Sequence, residues 1–238
     1  MDDTEAFLPL SSPTAARPLL GLTVLVVEDS RFACEALRLL CLRSGARIRR
    51  ADCLRSARRH LQVYRPSVVM IDLGLPDGSG AELIDELART TPRVGVILGM
   101  SGDDGAERMA IAAGADGFLA KPVTSVATFQ ELILSHIPAE RQPCGPRMVN
   151  DELIEPDPIA YRDDMAHVAD ILGEGTDEGM LDYVAQFVSG VARSADDMAL
   201  AMVADALADA RSEGRASNAV VAQLAGLVQD RLSEKVAI

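Results

Sequence analysis

The chain has 238 residues, enough for one large domain or two ordinary ones, and 48% of them are hydrophobic, so material for packed cores is ample. Aromatic residues make up 3% and tryptophan is absent, which leaves Leu, Val, Ile, Ala and Met to fill the interior. A formal net charge of −13 argues against a protein that holds nucleic acid or an anionic membrane through its overall field.

Met1 to Leu20 carries Pro9, Pro13 and Pro18 among Ser, Thr and Ala, with acidic residues first, and reads as a mobile tail. That acidic start lacks the basic and apolar regions of a secretory signal. No apolar run approaches the ~20 residues that span a bilayer, so a cytoplasmic protein is expected. From Leu22 the pattern changes. Leu22 to Val27 is a nearly continuous apolar run, as expected for a strand covered on both faces. Ser30 is placed to cap a helix over Arg31 to Arg43, with Ala33, Leu37 and Leu40 inward and Gly45 ending it. Cys34 and Cys41 fall on this helix as two buried thiols; Cys53 and Cys144 stand apart, and no pair has metal spacing.

The alternation repeats. Arg47 to Ala51, Val68 to Ile71, Val94 to Met100 and Phe118 to Ala120 read as strands. Leu54 to Tyr64, Ala81 to Arg89, Ala106 to Ala113 and Ser125 to Ile137 read as helices. Right-handed crossovers then place helices on both faces of a five-stranded parallel sheet, with chemistry beyond its carboxyl edge. Prolines at 138, 143, 146, 156 and 158 mark residues 139–158 as a linker. Ile159 to Leu172, Glu178 to Val191, Asp196 to Arg211 and Asn218 to Val236 read as Ala-rich helices with acidic outer positions. The expected organisation is a tail over 1–20, an α/β domain over 21–138, the linker, and a smaller all-α domain over 159–238. Met198, Met202 and Leu207 read as core.

Glu28 and Asp29 end the first predicted strand, Asp72 ends the third, Ser101 the fourth, and Lys121 follows the fifth. Three carboxylates in one crevice repel one another and call for a cation, and an all-oxygen ligand set favours Mg²⁺. A metal that neutralises carboxylates and a phosphoryl group lets an Asp oxygen act as nucleophile. Lys121 can then pair with one phosphoryl oxygen and the Ser101 hydroxyl can donate to another.

Val-Val-Glu28-Asp29-Ser30, Val-Met-Ile-Asp72-Leu-Gly-Leu-Pro76-Asp-Gly78-Ser-Gly80, Met-Ser101-Gly102 and Ala-Gly114-Ala-Asp-Gly117-Phe118-Leu-Ala-Lys121-Pro122 occur in this order. With them the stretch from Leu22 to about His136, half the chain, closely resembles the receiver domains of two-component response regulators. The resemblance implies a flavodoxin-like fold with Asp72 as phosphoacceptor. It implies Mg²⁺ held by Asp29, Asp72 and the Gly74 carbonyl, with Glu28 acting through water. It implies a cis Lys121-Pro122 peptide, and a switch in which Ser101 swings toward the phosphoryl oxygens while Phe118 moves inward. Gly74 and Asp103 fall where the family tunes hydrolysis of the aspartyl phosphate, and Gly78 and Gly80 read as turn formers. The link from Ser101 to Gly114 departs in being short and acidic. The last receiver helix carries no Lys or Arg, unlike the charged dimer surface of winged-helix regulators.

The arginines at 43, 47, 49, 50, 55, 58, 59 and 65 read first as a solvated basic face, and second as a dock for the acidic helices. Residues Asp157 to Val191 faintly resemble a degenerate histidine phosphotransfer domain; His167 lacks the expected surroundings. After Ala139 eight basic residues face nineteen acidic ones, a poor match for a duplex backbone. The reading is therefore a response regulator of a two-component phosphorelay that signals through a protein-binding helical domain, with no enzyme activity beyond its own phosphorylation and dephosphorylation. A sensor histidine kinase or phosphotransfer protein would supply the phosphoryl group; the helical domain's protein target is unknown, nucleic acid and membrane are not expected, and a homodimer is left open. The alternatives are a DNA-binding transcription regulator, and a phosphatase or phosphate sink for a partner. A helical phosphatase would draw its amide from Gln186, Asn218, Gln223 or Gln229.

Overall fold

The computed structural model describes residues 12–103, 105–147, 149–173 and 178–234. The apolar runs form strands β1 (Thr23–Val27), β2 (Arg47–Ala51) and β3 (Val68–Asp72). A small antiparallel hairpin follows, β4 (Gly74–Leu75) and β5 (Gly78–Ser79), and then β6 (Val96–Ser101) and β7 (Gly117–Ala120). The five long strands are parallel, in the order β2-β1-β3-β6-β7. Between them run α1 (Arg31–Ser44), α2 (Leu54–Val63), α3 (Gly80–Arg89) and α4 (Ala106–Ala112), and α5 (Val126–His136) follows β7.

Alternation along the central strands divides their side chains between two cores. Val24, Val26, Val68 and Met70 pack with Leu37 and Leu40 of α1 and Phe129 and Ile133 of α5. Leu25, Val27, Val69 and Ile71 pack with Leu54 of α2, Leu83 and Ile84 of α3 and Ala110 of α4. Each such buried side chain contributes about 1.5–3 kcal/mol, which is why the apolar strands take the centre. β2, with three arginines, takes the edge. This is the doubly wound, flavodoxin-like fold expected above. Cys34 and Cys41 are free and buried, as read.

Parts of the segments read as a tail and as a linker are packed against the α/β core. Leu19 is fully buried and its N–H donates to the Ser44 carbonyl at 2.9 Å, so the expected tail is docked by that point; residues 1–11 of it lie outside the described residues. In the expected linker, Ile154 is buried in the same core as Leu19. Its N–H donates to the Thr124 carbonyl at 2.8 Å, and Val126 N–H donates to the Glu152 carbonyl at 3.1 Å. Prolines spoil helices, but they do not stop a neighbouring isoleucine from finding apolar cover.

Beyond Pro156 the chain forms α6 (Pro158–Gly173), α7 (Glu178–Ser194), α8 (Met198–Ser212) and α9 (Asn218–Ser233). Their shared core includes Met165, Val188, Leu200, Leu207 and Leu224. Asp197 ties three of them together. It caps α8 through Leu200 N–H, accepts from the Tyr161 hydroxyl of α6 at 2.8 Å, and pairs with Arg231 of α9 at 2.6 Å. The expected Met stripe is corrected in part: Leu207 is core, but Met198 and Met202 are 54% and 68% exposed. The bundle also takes a side chain from the α/β domain. Phe32 of α1 packs into the bundle core, with its ring edge-on to Tyr161 at 5.9 Å. Ala33, expected to face inward on α1, is instead half-buried beside the cleft described next.

Candidate functional site

Parallel strands end at one edge, and four of them deliver polar side chains there. Glu28 and Asp29 follow β1, Asp72 closes β3, Ser101 closes β6, and Lys121 follows β7. The Lys121 ammonium lies 2.7 Å from Glu28 Oε2 and 3.0 Å from Asp72 Oδ1. Glu28, Asp29 and Asp72 each place a carboxylate oxygen within 4.8 Å of the others. Glu28 and Asp72 are buried, at 1% and 7% exposure.

Burial disfavours charge here and sets the proton affinities. It pushes Asp72 up to about 7, against the lowering pull of Lys121. Glu28 is likewise pushed up to about 7 by burial, with Lys121 opposing and Asp29 reinforcing. Asp29 rises to about 6, chiefly by burial and despite a hydrogen bond from Tyr183. Burial alone would lower Lys121, but the carboxylates of Asp72 and Glu28 outweigh it and hold the ammonium charged. One cation among three carboxylates leaves the cluster short of positive charge, and the donors are all oxygen. Those residues fit a hard divalent ion such as Mg²⁺.

The flanking residues support this edge. Ser101 is buried, its hydroxyl accepts from Asp103 N–H at 3.1 Å, and its carbonyl accepts from Lys121 N–H at 2.9 Å. Phe118 sits on β7 opposite Gly99, half-buried against the α2–α4 core. The Lys121–Pro122 peptide is cis, and so is Thr91–Pro92. Gly80 was read as a turn former, yet its need is closer approach. A Cβ there would lie 1.9 Å from the Asp72 carbonyl oxygen, so only glycine lets α3 start against the end of β3.

The helical bundle covers the cleft, which no local sequence signal announced. The Tyr183 hydroxyl of α7 donates to Asp29 Oδ2 at 2.6 Å. Gln186, one turn on, donates from Nε2 to Asp103 Oδ2 at 3.0 Å. Asp164 of α6 is buried at the start of α1, accepting from the Ser30 hydroxyl (2.8 Å), Arg31 N–H (2.8 Å) and Phe32 N–H (3.0 Å). The resulting cleft has about 490 Å³ of space not filled by atoms, open solvent included, walled by Asp29, Asp72, Ser101 and Lys121 below and by Gln186 and Arg193 of α7 above. Gln186 was among the amide candidates; Tyr183 and Asp164 were missed. Asn218, Gln223 and Gln229 are exposed on α9. His167 is exposed beside Phe187, ring centroids 6.0 Å apart, and does not itself line the cleft. Within the arginine cluster, Arg58 pairs with Glu86 and Arg43 with Glu152, so these two pairs form outside the bundle.

An open parallel sheet with an acidic pocket and a lysine at its carboxyl edge defines a doubly wound α/β protein with its site at the strand ends. Within that class, residues 24–133 match the family model of the response regulator receiver domain, and this segment is a receiver domain of two-component signalling. The chain is 32% identical over 99 residues to the KDP operon transcriptional regulatory protein KdpE of Escherichia coli (strain K12), covering 42% of this chain and 44% of that one. It is 35% identical over 107 residues to the transcriptional regulatory protein CitB of Klebsiella pneumoniae, covering 43% and 45%. The matches thus span less than half the length of these relatives. Among solved structures, a putative response regulator from Chloroflexus aurantiacus J-10-fl is 28% identical with a TM-score of 0.43, over 48% of this chain and 93% of that one. The family model ends at residue 133 and does not reach residues 157–191, where the faint phosphotransfer resemblance was noted. No helix among the described residues is long and apolar enough to cross a membrane.

Proposed function

We propose that this chain is a cytoplasmic response regulator, phosphorylated on Asp72, whose phosphoryl group controls how the helical bundle sits on the receiver. The carrying observation is the cleft. Asp72 lies 3.0 Å from Lys121, shares its pocket with two further carboxylates, and is roofed by α7. Mg²⁺, held by Asp29, Asp72 and the Gly74 carbonyl with Glu28 acting through water, would offset the carboxylate charge and that of the incoming phosphoryl group. The chain's own groups do the rest. An Asp72 carboxylate oxygen attacks the phosphorus of a phosphohistidine on a sensor kinase or phosphotransfer protein. The P–N bond breaks, and its electron pair leaves with the imidazole. Lys121 moves from neutralising Asp72 to pairing with a phosphoryl oxygen, and the Ser101 hydroxyl donates to another. Phe118, on the neighbouring strand, then fills space near Ser101.

Phosphorylation replaces the Asp72 carboxylate, one negative charge when ionised, by an acyl phosphate that carries close to two, beneath contacts in which Tyr183 and Gln186 meet carboxylates. The bundle's hold on the receiver then changes, and a protein target of the bundle reads that change. DNA binding is the weaker reading. The relatives named as transcriptional regulators match only the receiver, and after Ala139 acidic residues outnumber basic ones nineteen to eight. The test is labelling by radioactive acetyl phosphate with Mg²⁺. The wild-type chain should take up label that alkali removes, and Asp72→Asn should take up none; label retained in Asp72→Asn refutes the assignment.

A further inference from the structure

We propose that Gln186 gives the chain a built-in hydrolytic element: its side-chain amide positions the water that removes the phosphoryl group from Asp72. The proposal rests on Asp72 being the phosphoacceptor. Gln186 is exposed and lines the cleft, and its side chain packs directly over Gly74. A Cβ added to Gly74 would sit 2.7 Å from the Gln186 amide carbon and nitrogen. Gly74 is also the residue whose backbone hydrogen-bonds the Asp72 carboxylate. The amide is thus one residue's thickness from the reacting oxygen.

Its orientation is set as well. Gln186 Nε2 donates to Asp103 Oδ2 at 3.0 Å, and only the NH₂ end of an amide can donate to a carboxylate. The carbonyl Oε1 is therefore left as an acceptor. Asp72 and Gln186 line the same cleft, so a phosphoryl group on Asp72 enters the space that α7 walls. Water attacking in line, opposite the Asp72 oxygen, must come from that side. A glutamine carbonyl accepting a hydrogen bond from such a water is a recognised way to orient a nucleophile toward phosphorus. In the step, the water oxygen bonds to phosphorus and the P–O bond to Asp72 breaks. That bond's electron pair returns to the Asp72 carboxylate, and both water protons stay on the departing H₂PO₄⁻. The charge, two negative before, remains two negative after. Tyr183, one turn earlier, holds α7 to Asp29 and keeps the amide in place.

The experiment loads the full chain with radioactive acetyl phosphate and Mg²⁺, removes the donor by rapid desalting, and follows decay of the label. Gln186→Ala should lengthen the half-life at least about tenfold, within the roughly hundredfold that a 1 Å misplacement of a reactant costs. Mg²⁺ affinity by calorimetry and the proteolytic pattern should stay as in the wild type, because Tyr183, Asp164 and Phe32 still hold the bundle in place. Gln186→Asn, which withdraws the amide by one methylene yet keeps its polarity, should also slow decay. Decay as fast as wild type in both variants overturns the proposal. So does faster decay, which would make Gln186 a shield. Failure of the phosphoacceptor reading looks different: no label enters the wild-type chain, or label enters Asp72→Asn.

Discussion

At the scale of single residues, Tyr183 and Asp29 are the pair to watch. Asp29 is a proposed metal ligand, yet one of its oxygens already accepts the Tyr183 hydroxyl at 2.6 Å. The phenol is in turn pushed far above its ordinary value by burial and by the Asp29 charge, so it stays a donor. Metal and hydroxyl thus compete for one carboxylate. Removing the hydroxyl takes away a hydrogen bond to a charged group, about 1.5–3 kcal/mol at most. Tyr183→Phe should therefore tighten Mg²⁺ binding by about tenfold, measured by isothermal titration calorimetry. Unchanged affinity would mean that the hydroxyl donates to Asp29 equally well with the metal bound. Gly80 shows the opposite case, a residue chosen for what it lacks, because any side chain there would strike the Asp72 carbonyl.

Among the elements, α1 decides how the two halves meet. Its first turn leaves free N–H groups, and a carboxylate is favoured beside them. Ser30 caps the helix from within the receiver through Ala33 N–H, while Asp164 of α6 reaches across to Arg31 and Phe32 N–H and to the Ser30 hydroxyl. Phe32 returns the contact by entering the bundle core. One helix end therefore serves both domains. Asp164→Ala would leave those donors buried without a partner, at a cost of about 1–3 kcal/mol. Thermal denaturation should show that loss. Limited proteolysis should cut α6 and α7 sooner, since one of their anchors on the receiver is gone. A variant as stable and as protease-resistant as wild type would show that Phe32, Tyr183 and Gln186 suffice to hold the halves together.

For the whole molecule, the acidic cluster stores an electrostatic cost. Burial raises Asp72 and Glu28 to about 7 and Asp29 to about 6, above their ordinary values. The folded chain then keeps protons that the unfolded chain has released, so stability falls as pH rises from about 4 to about 7. In chelator-treated protein the melting temperature should drop between pH 5 and pH 8. Mg²⁺ should restore it at pH 8 and do little at pH 5, where protons occupy the same oxygens. Equal stabilisation by Mg²⁺ at both values would remove the cluster as the metal's site.

The receiver was legible in the sequence because its signals are local. Val24 to Val27 and Val68 to Ile71 announce buried parallel strands by composition, and parallel strands carry their following residues to one edge. Glu28, Asp29, Asp72, Ser101 and Lys121 therefore converge by topology alone. The four later helices were legible too, from period and composition. What only the tertiary structure decided is where that bundle sits. Tyr183 meets Asp29 across 154 positions and Asp164 meets Phe32 across 132, and neither pair leaves a trace in spacing or hydropathy. The burial of Leu19 and Ile154 was missed for the same reason, since a short apolar pair near prolines gives no local sign of the distant surface that covers it. Periodicity specifies which face of an element is buried; the partner that buries it is set by packing over the folded whole.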